Sequence, residues 1–259
     1  MTRLVLYNAP QSTCSQRVRF TMNAKALAFE EVRLDLFAGD QLEPDYLALN
    51  PNGVVPTLVD DGAAIIDSSV ILEYLDEVFP EPVSFTPDDP LSRARMRAMI
   101  QFINEVPTPA IRVPSYNLAF LPHFREMSEE EFVALAQSKP LRKEFLLAMG
   151  RTGFSEKDMN QALDRLGRAV ERMDSWIAAS GGPWLMGARL TLADIAVMPV
   201  IVRMDDINLD GSWAARPAIA RWLELIRAEP AFDQTFHEGS LLTDKYPHLM
   251  SLRGARAAG

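Results

Sequence analysis

The spacing of apolar positions changes about a third of the way along the chain. In the first 80 residues, short apolar runs and two-residue alternations are broken by turn residues; beyond residue 90, apolar side chains recur at intervals of three and four. Residues 3–7 (Arg-Leu-Val-Leu-Tyr) predict a strand. After a break, residues 15–27 predict a helix, with Val18 and Met22 four apart and the cations on its other faces. Val32, Leu34 and Leu36 alternate through residues 30–36, a second strand. Two apolar runs flank Asp61-Gly62, a two-residue hairpin signal. Val70, Ile71, Tyr74, Leu75 and Val78 then fall on one helical face. The order strand, helix, strand, a variable stretch, hairpin, helix predicts a small α/β unit with a mixed sheet over residues 1–80.

Residues 80–90 carry four of the 18 prolines and read as a linker, taken as 81–90. From 91 to 259 only helical spacing is found. Met159, Leu163, Leu166, Val170, Met173 and Ile177 trace one long amphipathic helix. Thr191 with Asp194 three residues on is a capping-box variant that opens the next. Ile219, Trp222, Leu223 and Ile226 mark a further one.

Composition then narrows the partners. The 259 residues carry 35 acidic and 26 basic side chains, a net charge of −9, which disfavours nucleic acid and anionic membranes. No apolar run reaches membrane-spanning length and no signal-peptide core is found at the start, so a cytoplasmic protein is expected. A single cysteine excludes an internal disulfide, and three scattered histidines suggest no metal site.

Three short segments carry candidate chemistry. Ser12-Thr13-Cys14-Ser15 lies where the first strand gives way to the first helix. A helix start presents free amides and a partial positive charge, which favour a thiolate. Ser12 would donate a hydrogen bond to a substrate thiolate, or Cys14 would itself be the reactive thiolate; the same residues also suit plain N-capping and a small buried thiol. Asn50 to Thr57 contains Val55-Pro56. A cis bond there would turn the Val55 N–H and C=O outward to pair with a peptide-like ligand, whereas a trans bond is the ordinary state. Asp67-Ser68-Ser69 opens the helix after the hairpin, either as a simple cap or as a site for an amino-acid end, Ser68 on its carboxylate and Asp67 on its ammonium.

Taken in this order, these segments and the all-helical second half, with its Leu190-Thr191-Leu192-Ala193-Asp194 stretch, closely resemble the cytosolic glutathione S-transferase superfamily. The resemblance covers essentially the whole chain. It implies a thioredoxin-like N-terminal domain, a mixed four-stranded sheet in the order β-α-β-α-β-β-α, followed by an all-α helical bundle. Ser12 to Arg19 is similar to the zeta class, which includes maleylacetoacetate isomerase, and Gln41, nine residues before Asn50, fits that class too. Tetrachlorohydroquinone dehalogenase carries a similar Ser-x-Cys-Ser and resembles residues 193–236. Residues 120–177, with Met127 to Phe132 and Gly153-Phe154, resemble an insertion of bacterial β-aryl-etherases. One departure is Val54, where zeta and etherase relatives usually have Gln, so one side-chain contact to glutathione is missing.

The resemblance implies glutathione as co-substrate and no metal. It sets the Val54-Val55-Pro56 backbone against the cysteinyl part, Asp67 and Ser68 against the γ-glutamyl end and Gln41 against the glycyl side. The thiolate falls to Ser12, with Ser15 as the alternative donor and Cys14 relevant where an adduct is released by thiol–disulfide exchange. The second substrate is expected to be a small hydrophobic or aromatic electrophile bound between the halves. Four prolines between Asn104 and Phe124 rule out one straight helix there, and Arg112, Tyr116, Phe120 and Phe124 would line an aromatic pocket with a single cation. Ether cleavage, dehalogenation and conjugation fit this pocket; a zeta-like dicarboxylate isomerase would need more cations, and a non-catalytic binding protein would not need Ser12, Pro56, Asp67 and Ser68 together. A homodimer is implied as well.

Overall fold

The computed structural model describes residues 3–249. Its first half runs β1 (Leu4–Asn8), α1 (Thr13–Ala24), β2 (Phe29–Arg33), α2 (Pro44–Leu49), β3 (Thr57–Asp60), β4 (Ala63–Ile66) and α3 (Ser68–Val78). The four strands form one mixed sheet in the order β2-β1-β3-β4, with β1 parallel to β2 and antiparallel to β3. This is the thioredoxin-like arrangement that the sequence resemblance implied. The β3–β4 hairpin turns through Asp61 (φ 44°) and Gly62 (φ 89°). Both lie in the left-handed region that a two-residue turn of this hand requires, and glycine enters it without a Cβ penalty.

One local expectation is corrected, and one feature of α1 is not foreseen. The second strand stops at Arg33, two alternations short of Leu36, because residues 34–37 leave the sheet to line a cavity. The cations of α1 do not face solvent: Arg17 and Arg19 are 0% and 2% exposed. The reason is tertiary, since α1 is enclosed by α3 on one side and by two helices of the second half on the other.

That second half comprises α4 (Pro90–Glu105), α5 (Pro107–Ala110), α6 (Arg112–Ser115), a π-helical turn (Tyr116–Phe120), α7 (Leu121–Arg125), α8 (Glu129–Gln137), α9 (Lys143–Met149), α10 (Glu156–Ser180), α11 (Leu192–Asp206), α12 (Pro217–Ala228), α13 (Pro230–Thr235) and α14 (Leu242–Lys245). The prolines between Glu105 and Leu121 break the path into short pieces, since each removes a donor and clashes with the preceding turn. The long α10 buries Leu166, Val170, Met173 and Ile177 as its spacing predicts, and a Ser155–Asp158 capping box starts it. Helix α11 is the hub, buried along its whole length except at Asp205.

The stretch between α3 and α4 is held by a buried ion pair. Lys25 Nζ sits 2.6 Å from Asp76 Oδ1 and donates to the carbonyls of Phe79 and Val83, while Asp76 accepts from the Phe85 amide. Each charge therefore has compensating partners, as burial requires. No helix among the described residues is long and apolar enough to cross a membrane.

Candidate active site

The carboxyl end of β1 opens onto a cavity of about 470 Å³ between the sheet and helices α6 to α9. Ser12 stands at its edge as the N-cap of α1, in extended conformation. Its Oγ accepts from the Ser15 amide at 3.2 Å, which leaves its own O–H free to donate into the cavity. The loop carrying it is held by buried side chains. The Pro10 carbonyl accepts from Gln16 Nε2 and Arg19 Nη2, each at 3.0 Å, and the Gln11 carbonyl accepts from Arg203 Nη2 at 2.6 Å. Gln16 and Arg19 also bind the 235–240 segment, through the Ser240 and Thr235 carbonyls. The links to Arg203, Thr235 and Ser240 have no local signal in the sequence, because those residues lie 192 to 224 positions from the ones they join.

Cys14 also lines the cavity, in the first turn of α1. Burial pushes its thiol up. The fields of Arg17, Arg112 and Arg142 and a hydrogen bond with Ser68 outweigh that, and the net direction is below the ordinary thiol value. Arg17 itself is fully buried and forms no ion pair among the described residues, though it lies in the field of Asp67: it donates to Asn104 Oδ1 at 2.8 Å, Thr108 Oγ1 at 3.2 Å and Ser68 Oγ at 3.5 Å.

Of the remaining sequence candidates, Gln41, Val54, Val55, Arg112, Tyr116 and Phe120 meet at this cavity. The peptide bond Val55–Pro56 is cis. The Val55 N–H and C=O have no partner among the described residues, while the Val54 carbonyl is already taken by Tyr46 and Asn50. Gln41 donates to the Leu36 carbonyl, and its Oε1 is buried without a partner. Pro56 is buried behind Val55 and does not line the cavity.

Three candidates are placed elsewhere. Ser15 is fully buried, and its Oγ accepts from the Ala9 amide at 3.4 Å. It cannot reach a ligand from there, so the alternative thiolate donor is withdrawn. Asp67 and Ser68 lie outside the cavity lining. Asp67, at φ 69°, caps α3 by accepting from the Ser69 amide at 2.9 Å and the Val70 amide at 3.4 Å. Ser68 is buried beside Arg17 and Cys14, which ties the start of α3 to the start of α1.

The expectation of a single cation is also corrected. Arg112 is joined at the cavity by Lys139, Arg142, Arg203 and Lys245 from the helical half and by Arg33 from β2, against one carboxylate, Asp35. These positions are scattered from 33 to 245, so no motif gathers them. The aromatic residues of this wall form a cluster. The Tyr116 ring stacks at 6.2 Å on Phe124 and meets Phe120 and Phe145 edge-on at 4.9 Å each. Among the described residues no cluster of His, Cys, Asp and Glu is grouped to hold a metal ion.

Comparison with known proteins agrees with this geometry. The family model "Glutathione S-transferase, N-terminal domain" matches residues 6–83, and "Glutathione S-transferase, C-terminal domain" matches residues 156–225. Maleylacetoacetate isomerase of Pseudomonas aeruginosa is 30% identical over 88% of this chain and 93% of its own. Protein LigF of Sphingobium sp. strain SYK-6 is 27% identical over 91% of this chain and 93% of its own. The crystal structure of the beta-etherase LigF from that strain superposes with a TM-score of 0.80, at 28% identity, covering 90% of this chain and 98% of that one.

Proposed function

This chain belongs to the glutathione S-transferase family, and on that premise we propose that it ionises the thiol of glutathione and directs it at a hydrophobic, aromatic electrophile. The observation that carries the reading is Ser12, whose free hydroxyl donor stands at the amino end of α1, at the cavity edge that also holds the unpaired Val55 backbone. A tripeptide lying along Val55 would add a short strand to that edge, with its sulfur near Ser12 and the α1 amides. Gln41, with its buried free Oε1, suits an N–H on the glycyl side. Asp67, exposed at the start of α3, with the buried Ser68 beside it, would take the γ-glutamyl end.

Lowering a thiol from about 8.5 by two units takes about 2.7 kcal/mol, within reach of one hydroxyl donor and a helix terminus acting together. The thiol proton passes to water. The sulfur then bonds to the electrophilic carbon, and an aryloxide or halide leaves with the bonding pair. The likeness to LigF supports an aryl ether among the electrophiles. Calorimetry with glutathione, followed by turnover of 1-chloro-2,4-dinitrobenzene and an aryl-ether panel, tests this. Micromolar to millimolar binding with measurable conjugation is expected, and no heat on titration with glutathione would sink the reading.

A second reading gains support from the cations. A glutathione-dependent isomerase of an unsaturated dicarboxylate would use them, and the likeness to maleylacetoacetate isomerase points the same way. Turnover of maleylacetone without net loss of glutathione would favour it over conjugation.

A cytoplasmic homodimer completes the proposal. Val70 and Val78, on one stripe of α3, are 54% and 46% exposed, and Leu91 at the start of α4 is 61% exposed. Exposed aliphatic side chains so grouped suit a second copy. Sedimentation is expected to give twice the chain mass, and Val70→Glu to shift it toward a single chain; a wild-type monomer at micromolar concentration would count against the dimer.

A further inference from the structure

Four of the six cations at the cavity have local partners. Arg33 binds Glu31 at 2.8 Å, and Lys139 donates to the Leu36 carbonyl at 3.4 Å. Arg203 donates to the Gln11 carbonyl and to Ser115 Oγ, and Lys245 lies in the field of Asp35. Arg112 and Arg142 differ. Among the described residues Arg112 donates no side-chain hydrogen bond and forms no ion pair, and Arg142 donates only to the carbonyl of its neighbour Leu141. They come from separate elements, Arg112 at the start of α6 and Arg142 at the start of α9. Both are half-buried at the same cavity, and each guanidinium lies in the field of the other.

Two like charges lining one partly dry cavity repel unless an anion lies between them, and Cys14, whose thiol both fields reach, offers only a single sulfur. Both fields also reach the buried hydroxyl of Tyr116, so the pair sits beside the aromatic cluster of Tyr116, Phe120 and Phe145. The Val55 edge and Gln41, by contrast, come from the sheet half.

We infer that Arg112 and Arg142 form a carboxylate clamp, and that the electrophile is an aromatic acid whose ring packs on the Tyr116 cluster while its carboxylate bridges the two guanidiniums. The inference rests on the glutathione reading for the neighbouring edge but not for the clamp itself. A guanidinium pair matches a carboxylate in shape as well as charge, and a neutral aromatic ring would leave the pair with no carboxylate to bind. Glutathione and electrophile would then occupy one cavity from opposite sides, each recognised by its own half of the chain.

Calorimetry on protein saturated with S-methylglutathione, which cannot react, tests the clamp. The ligands are 3,5-dinitrobenzoate and its methyl ester. The wild type is expected to bind the acid about ten- to a hundredfold more tightly than the ester, and added salt should narrow the gap. Arg142→Gln should bring the ratio close to one, Arg142→Lys should restore part of it, and Arg112→Gln repeats the test at the other side. Equal binding of acid and ester by the wild type, no binding of the acid, or variants that weaken acid and ester alike would each overturn the clamp. The titration with S-methylglutathione reports separately on the co-substrate: its failure beside an intact preference for the acid removes glutathione and leaves the clamp standing.

Discussion

Replacing Ser12 by alanine is expected to lower kcat/KM for glutathione conjugation by about ten- to a hundredfold, and to move the rise of the rate with pH upward by about one to two units. The magnitude follows from one hydrogen bond to a charged acceptor, about 1.5–3 kcal/mol, at about 1.4 kcal/mol per tenfold change in rate. The sign follows from which protonation state the hydroxyl favours. Ser12 Oγ accepts from the Ser15 amide and keeps its O–H for the cavity; a thiolate has no proton to give, so the hydroxyl meets it as a donor, and a donor stabilises the thiolate. Removing it raises the pKa of the bound thiol, so the deficit is largest near neutral pH and closes at high pH. The measurement is kcat/KM against pH, with the ultraviolet absorbance of the bound thiolate as a direct readout.

Ser12 also caps α1, and losing a serine cap for alanine costs about 1 kcal/mol of stability. Ser12→Gly separates the two roles, because glycine is nearly as good a cap and has no hydroxyl. The glycine variant should stay stable and be as slow as the alanine one. A Ser12→Ala enzyme of full activity, with activity lost in Cys14→Ala, would transfer the chemistry to the neighbouring thiol, which its three arginines already favour as an anion.

The contrast between these residues and the clamp shows what a single sequence discloses. The strands, the hairpin and the long helix were legible because their periods are local: Asp61-Gly62 closes β3 onto β4 whatever surrounds it, and Leu166, Val170 and Met173 face inward by spacing alone. Ser12 was legible as a helix start beside a strand end. The burial of Arg17 and Arg19 was not legible, because α1 is walled in by α3 on one side and on the other by α11 and α13, which lie far along the chain. Arg142 was invisible for a similar reason. It stands just before a short helix with no motif, and only the broken path of α5 to α9 brings it to the cavity of Arg112. Ser15 failed in the opposite sense: its neighbours in sequence point into the cavity, but the turn of the helix aims it at the Ala9 amide.

Asp194→Ala is expected to produce the largest loss of stability of any single change, about 3–5 kcal/mol. The side chain is fully buried and accepts four hydrogen bonds: from the Thr191 amide and Leu185 amide at 2.9 Å each, Thr191 Oγ1 at 2.8 Å and Trp222 Nε1 at 2.9 Å. One carboxylate therefore joins the start of α11, the turn before it and the middle of α12. Alanine would strand these donors away from water, and each stranded donor costs about 1–3 kcal/mol before the structure relaxes. Against a typical total of about 5–15 kcal/mol, the loss takes a large share of what holds the fold together. Because Arg203 on α11 also holds the Gln11 carbonyl, loosening α11 should reach the active loop as well. Urea unfolding should show a much lower midpoint with an unchanged slope. Asp194→Asn, which keeps one acceptor but turns an amide toward the other donors, should fall between wild type and alanine. An alanine variant within about 1 kcal/mol of wild type would mean that water enters to satisfy the stranded donors, and α11 would no longer count as the dry hub on which the active loop is hung.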